Sequence, residues 1–238
     1  MGLYRDEAIV LRTWKLGESD RIVNLVTRGH GKVRAVAKGV RKTKSHFGAR
    51  LEPTTHVALL LYEGRDLDII SQAEAIDHFR TIRDDLDRIA RASAMLEAVD
   101  HLAQEGQVNP RLHDMLLGAL RALAAGDAPL VVPGFFLKVL ALEGFRPQVE
   151  VCAVCGDSDG LSSFDVDEGG LLCVTHRRGQ AVSAEAVSLL QLILGGRLGA
   201  ALDQPPSPAT HEVEHLATRA MEHHLERRIR SVSLLDRA

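Results

Sequence analysis

Four residues of this chain have the types and spacing to hold a metal ion. Cys152 and Cys155 bracket two residues, and after 17 more Cys173 and His176 bracket two again. Zinc takes four nitrogen or sulfur donors in a tetrahedron, and a C-x2-C or C-x2-H turn offers two of them at the required separation. Gly156 allows the tight backbone after the first pair, and Gly160, Gly169 and Gly170 suit the intervening loop. Three cysteines cannot all pair, and the chain reads as one kept in a reducing compartment, so a disulfide is disfavoured. Four protein ligands leave no open position for a reactive water. The expectation is therefore one structural Zn2+, held by Cys152, Cys155, Cys173 and His176, pinning a loop at about 149–178.

The second concentration of chemistry is charge. Between Arg21 and Leu51 stand nine Lys and Arg residues and no Asp or Glu, in a protein whose net charge is -3. Clustered cations repel one another unless a polyanion offsets them, and nucleic acid is the commonest polyanion. Lys32, Arg34 and Lys38 alternate with Val33, Ala35 and Ala37, which puts the cations on one strand face. Arg41, Lys42 and Lys44 follow in a polar loop, and Arg50 lies just beyond. These seven cations are the candidate nucleic-acid contacts. The asymmetry extends to the whole chain: residues 1–80 carry 14 Lys and Arg against 10 Asp and Glu, and the remainder 15 against 22. Trp14 and Phe47 are each placed either to stack on bases or to plug a barrel.

Positioning these groups requires two kinds of structure. Strand-like runs at 8–11, 21–27, 32–38, 56–62 and 67–70 predict a small closed barrel, of which the OB-fold is the common five-stranded type, within residues 1–80. After Gln72 the apolar spacing changes to a helical period. Helices are predicted at 82–105, with Leu86 and Ile89 on the apolar face; from Asn109-Pro110 to Gly126; across the strongly apolar run ending at Gly144; after Ser183; and over 211–229, beyond a proline-rich loop at 205–208. Residues 81–238 thus form an all-α domain interrupted by the cysteine loop, and the fold class is α+β. The histidines at 78, 101, 113, 215, 223 and 224 are predicted on helix surfaces. No apolar run is long enough to span a bilayer, no signal-peptide pattern opens the chain, and a cytoplasmic protein is expected. Neither a phosphate-binding G-x4-G-K-[ST] loop nor a G-x-S-x-G elbow is present, so no enzyme chemistry is indicated. An RNA-binding barrel and a zinc-ribbon nuclease are the alternatives that the same residues allow.

Several motifs agree in order with one family. Ala8-Ile9-Val10-Leu11-Arg12, Gly17-Glu18-Ser19-Asp20, the 31–39 segment, Lys44-Ser45-His46-Phe47-Gly48, and Glu143-Gly144-Phe145-Arg146-Pro147 leading into Cys152-Ala153-Val154-Cys155-Gly156 together resemble the RecO family. The resemblance implies an N-terminal OB-fold and a helical domain with a zinc-finger-like insertion. It further implies binding and annealing of single- and double-stranded DNA. With RecR, such proteins assist RecA loading onto DNA coated by single-strand-binding protein, whose tail several members contact. His176 departs from the pattern, since many members carry cysteine there.

Overall fold

The computed structural model describes residues 2–42, 45 and 47–231. Five strands close the N-terminal barrel: β1 Leu3–Leu16, β2 Asp20–Thr27, β3 Gly31–Ala37, β4 His56–Tyr62 and β5 Asp68–Asp77. Their order is β1-β2-β3-β5-β4, with β4 returning to β1, as in an OB-fold. Among these five strands, as described, β3 and β5 alone pair in parallel. Closure depends on the length of β1. Its first half pairs with β4 over Leu3–Ile9 and its second with β2 over Ala8–Leu16, with an irregularity between Val10 and Arg12. A bulge of this kind bends a strand and re-aims its side chains, letting one strand serve both neighbours.

Alternation fills the barrel. Val23 and Leu25 of β2, Val33, Ala35 and Ala37 of β3, and Val57, Leu59 and Leu61 of β4 share one core. Phe47 belongs to that core and is only 2% exposed, so it is a packing residue rather than a stacking surface. Burying such a ring stabilises by about 1.5–3 kcal/mol.

The same compact unit continues through α1 Arg80–Arg83, α2 Leu86–Leu102 and α3 Pro110–Ala125, ending at Ala125. Strands give way to helix at Phe79, which takes a left-handed φ of 45° before α1. Asn109 starts α3 by accepting the backbone N–H of Leu112, and Pro110 occupies the first helical position. In α2 the apolar side is Ala90, Ala94, Met95, Ala98 and Val99, whereas Leu86 is 83% exposed. Sequence spacing sets Leu86 and Ile89 inward; Leu86 is the first residue of the helix and lies beyond the packed surface, and Ile89, one turn on, is 38% exposed. Gly31 is required where β3 passes the loop after α2: its φ is +71°, and a Cβ there would lie 2.0 Å from the carbonyl oxygen of Gln107.

The second unit begins at Gly126. It holds α4 Val131–Leu142, α5 Ala184–Leu194, α6 Leu198–Leu202 and α7 Pro208–His224, with a small sheet of β6 Leu161–Asp165, β7 Gly170–Cys173 and β8 Gln180–Ala181 in the order β7-β6-β8. α4 is buried almost all round and packs on α5 and α7. Ser183 caps α5 as expected, and Ser207 forms a capping box with Thr210. Pro208 therefore begins α7 rather than extending the loop. No described helix is long and apolar enough to cross a membrane.

One buried pair was missed by the surface assignment of the histidines. His113 of α3 is 0% exposed and His56 of β4 3%, with ring centroids 5.9 Å apart. Neither His56 ring nitrogen, nor Nε2 of His113, has a hydrogen-bond partner. His113 Nδ1 meets the Asp114 carboxylate at 3.1 Å. Burial first, and the neighbouring His113 second, hold the His56 pKa below the ordinary histidine value; Glu7 and Asp77 oppose this and Arg121 reinforces it. The folded state thus excludes a proton that the unfolded chain accepts near pH 6.5. Stability should fall as pH drops below about 6.5, by up to about 1.4 kcal/mol per pH unit for this one group. Denaturant melts between about pH 7.5 and pH 5.5 should show that slope, flattened in His56→Leu; parallel profiles for the two proteins would contradict it.

Candidate nucleic-acid interface and metal centre

The basic run divides into two populations. On β3, Val33, Ala35 and Ala37 point into the barrel and Lys32 and Arg34 point out, as alternation demands. The outer cations meet carboxylates distant in sequence. Lys32 Nζ lies 2.9 Å from Asp100 Oδ1 on α2 and also donates to the Asp100 carbonyl. The two side chains are 15% and 12% exposed, and Asn24 Nδ2 donates to the same carboxylate at 2.9 Å. Arg34 faces Glu105 at 3.6 Å, Arg28 makes a two-pronged contact with Asp114, and Arg21 pairs with Glu52 at 2.7 Å. A stretch without acids is thereby partly neutralised by acids from elsewhere.

Lys38, Arg41 and Lys42 are different. They follow the end of β3 in a turn, are exposed, and form no ion pair among the described residues. The turn is fastened to the β1–β2 hairpin: Arg41 N–H donates to the Ser19 carbonyl at 3.0 Å, and its guanidinium donates to that of Glu18 at 2.9 Å. Asp20 accepts the Gly39 N–H at 2.7 Å and the Ser19 hydroxyl at 2.9 Å. These bonds, the Gly39 amide first, hold the Asp20 pKa below the usual carboxylate value, with Lys38 and Lys42 adding to the effect. Arg50 is also exposed and donates to the Phe47 carbonyl at 3.3 Å. Lys44 lies outside the described residues. Sequence reasoning missed Asp20 as the pin of the basic turn; the hairpin register that brings residues 17–20 under residue 39 is a tertiary fact.

At the other candidate site the spacing succeeded. One ligand atom from each of Cys152, Cys155, Cys173 and His176 lies within 4.8 Å of every other. Cys155 Sγ is 3.8 Å from Cys173 Sγ, and His176 Nδ1 is 3.3 Å from Cys173 Sγ and 3.9 Å from Cys152 Sγ. A tetrahedron with Zn–S bonds of about 2.3 Å has sulfur–sulfur edges of about 3.8 Å. The donors therefore fit one such ion.

The scaffold around them is more regular than the expected loop. β6 and β7 form a hairpin, and Cys173 is the last residue of β7, paired with Leu161. His176 follows in a single 3-10 turn, Val174–His176. In the first knuckle Gly156 N–H donates to the Cys152 carbonyl at 2.8 Å, with Gly156 at φ +78°. The knuckle is tied to β7 by Ala153 N–H and the Leu171 carbonyl at 2.8 Å, and the segment is tied to α5 by Gln191 Nε2 and the Val149 carbonyl at 2.9 Å. Gly170 permits the approach, because a Cβ there would lie 2.4 Å from the Gln148 oxygen. The backbone N–H of His176 leads in holding the Cys173 thiol below its ordinary pKa, which favours the thiolate that a metal needs.

Two outcomes follow. Lys32→Ala should lower stability by about 3 kcal/mol, the range for breaking a buried ion pair, because Asp100 stays buried without its cation. Denaturant melts that match those of the parent protein would contradict this. Protein purified without chelator should carry one zinc per chain. Stripping it with a strong chelator should remove about 4 kcal/mol if the ion is held a thousandfold above Kd, or roughly 8 °C of Tm. Metal analysis finding none, or an unchanged melt after chelation, would contradict the assignment.

Known proteins match the chain throughout. The family model described as Recombination protein O N terminal matches residues 1–79, and Recombination protein O C terminal matches residues 83–233. A curated protein of Bifidobacterium adolescentis, "DNA repair protein RecO", is 44% identical over 247 residues, covering 99% of this chain and 100% of the relative. The protein of the same name from Nocardioides sp. is 46% identical over 244 residues with the same coverage. Barrel order, cysteine geometry and full-length similarity agree: this chain belongs to the RecO family of DNA repair proteins.

Proposed function

We propose that the protein is a non-enzymatic recombination mediator that binds single- and double-stranded DNA, anneals complementary strands, and with RecR assists RecA loading onto DNA coated by single-strand-binding protein. The observation that carries the DNA-binding role is the turn after β3, where Lys38, Arg41 and Lys42 are exposed, form no ion pair among the described residues, and are fixed in place by the hairpin. Annealing needs two polyanions brought together, and such cations reduce their repulsion without any bond being made or broken.

Residues 1–80 are the nucleic-acid-binding part and residues 81–238 the helical part, with a structural Zn2+ on Cys152, Cys155, Cys173 and His176. Lys38, Arg41 and Lys42 are the principal phosphate contacts, and Lys44 and Arg50 extend them. Arg34 contributes from the edge of its pair with Glu105. Lys32 serves the fold instead, because leaving Asp100 for a phosphate would strand a buried carboxylate. The setting is cytoplasmic, on the nucleoid.

Binding through phosphates is largely indifferent to sequence and steeply dependent on salt. Replacing Lys38, Arg41 and Lys42 together by alanine should weaken oligonucleotide binding. It should also flatten the slope of log K against log[salt] by about 2 for single strands, at about 0.7 per phosphate lost. Fluorescence anisotropy titrations across a salt series measure both. Superimposable slopes would reject these residues as phosphate contacts.

A further inference from the structure

Strand register lays out two rows on the outer face of β1, β2 and β3. Arg12 stands opposite Asn24, and Asn24 opposite Arg34; the next row is Trp14, Ile22 and Val36. The rows exist because β1 resumes its pairing at Arg12 after the irregularity at Val10, setting Arg12 and Trp14 outward. Trp14 is the only tryptophan of the chain and is half-buried rather than sealed in the core. The Arg12 guanidinium lies 5.7 Å from the centroid of its ring. Arg12 is exposed and forms no ion pair among the described residues, in contrast to the paired arginines at 21, 28 and 34.

The position of this aromatic matters. Val36 ends its row one residue before β3 stops at Ala37, and the turn with Lys38, Arg41 and Lys42 follows directly. That turn is bonded to residues 17–20, which close the hairpin begun by the Trp14 strand. An indole with a guanidinium on it and three exposed cations therefore occupy the same end of the barrel.

We propose that Trp14, backed by Arg12, is a stacking platform for an unpaired nucleobase. It makes this end of the barrel favour single strands over duplex. This rests on the DNA-binding role proposed above and adds a base contact to it. Phosphates are common to both forms of DNA, so the cations alone do not distinguish them well. Base faces are available in a single strand and already covered by their neighbours in a duplex. Aromatic and guanidinium planes stack on any base, so the preference carries no sequence code.

As the sole tryptophan, Trp14 reports on its own contacts. Its emission should be quenched on adding an oligothymidylate, and much less by an abasic oligonucleotide of the same length or by a duplex. Anisotropy follows binding of each probe independently. Trp14→Leu keeps apolar bulk without a stacking face and should weaken oligothymidylate binding by about fivefold or more, leaving the abasic and duplex probes within roughly twofold. Trp14→Phe should restore most of the loss. A purely packing role predicts instead that Trp14→Leu lowers Tm and weakens all three probes alike, which would overturn the proposal. Equal quenching by the thymidylate and abasic strands, or binding without quenching, would also overturn it while leaving the phosphate role intact. Absence of binding by any probe would overturn both.

Discussion

The organising constraint in the N-terminal unit is that closely spaced cations must each find an anion or water. Nine basic residues between Arg21 and Leu51 have no acid among them, and the fold resolves this by partition. Lys32 is drawn against α2 by Asp100, with Asn24 sharing the carboxylate. Arg28 and Arg34 reach Asp114 and Glu105, so with Lys32 two contacts run from the barrel to helices α2 and α3 and one to the loop between them. Most of these are solvent-exposed pairs of small individual worth. Lys32–Asp100 is the shielded one, and a buried pair is much more damaging to break than valuable to form. Its loss should therefore cost more than its formation contributes.

What remains after that partition is the surface proposed to meet DNA. Lys38, Arg41 and Lys42 sit beyond the last paired residue of β3, where no helix covers them with carboxylates among the described residues. The turn that carries them is held to residues 17–20 by the backbone N–H groups of Gly39 and Arg41 and by the Arg41 guanidinium. Rigid backbone with exposed cations suits contact with a polymer whose phosphates recur at regular spacing. The cysteine-rich segment follows the same economy of means in the second unit. A short hairpin and two knuckles bring three sulfurs and a nitrogen to tetrahedral separations. Its core consists of little more than Cys152, Leu172 and Cys173, with Ala153 and Leu161 packed against them. So small a cluster buries too little apolar surface to order the segment by itself, which is the situation a structural ion resolves.

Local signals were legible in the sequence and long-range ones were not. Strand alternation gave the inward set of β3 correctly, and Asn109-Pro110 and Ser183 marked helix starts through bonds the structure contains. The C-x2-C and C-x2-H spacing found all four members of the metal cluster, because each pair is set by one local turn. The hairpin between the pairs was not legible, since its strands are only five and four residues long and rich in glycine nearby. Nor could the pattern show that Lys32 faces Asp100 across 68 residues, or that His113 lies against His56. A helix period places His113 on one side of α3 but does not say what covers that side. Leu86 fails for the opposite reason: its type is apolar, and no neighbour arrives to cover it.

The division of the cations can be measured at single residues. Lysine acetylation read by mass spectrometry, with and without a saturating oligonucleotide, compares Lys32, Lys38 and Lys42 in one sample. Lys38 and Lys42 should react readily in the unbound protein and be protected by DNA, while Lys32 should resist the reagent in both states. Reaction of Lys32 that DNA suppresses, with Lys38 and Lys42 indifferent to DNA, would show that the strand face and not the turn meets the phosphates.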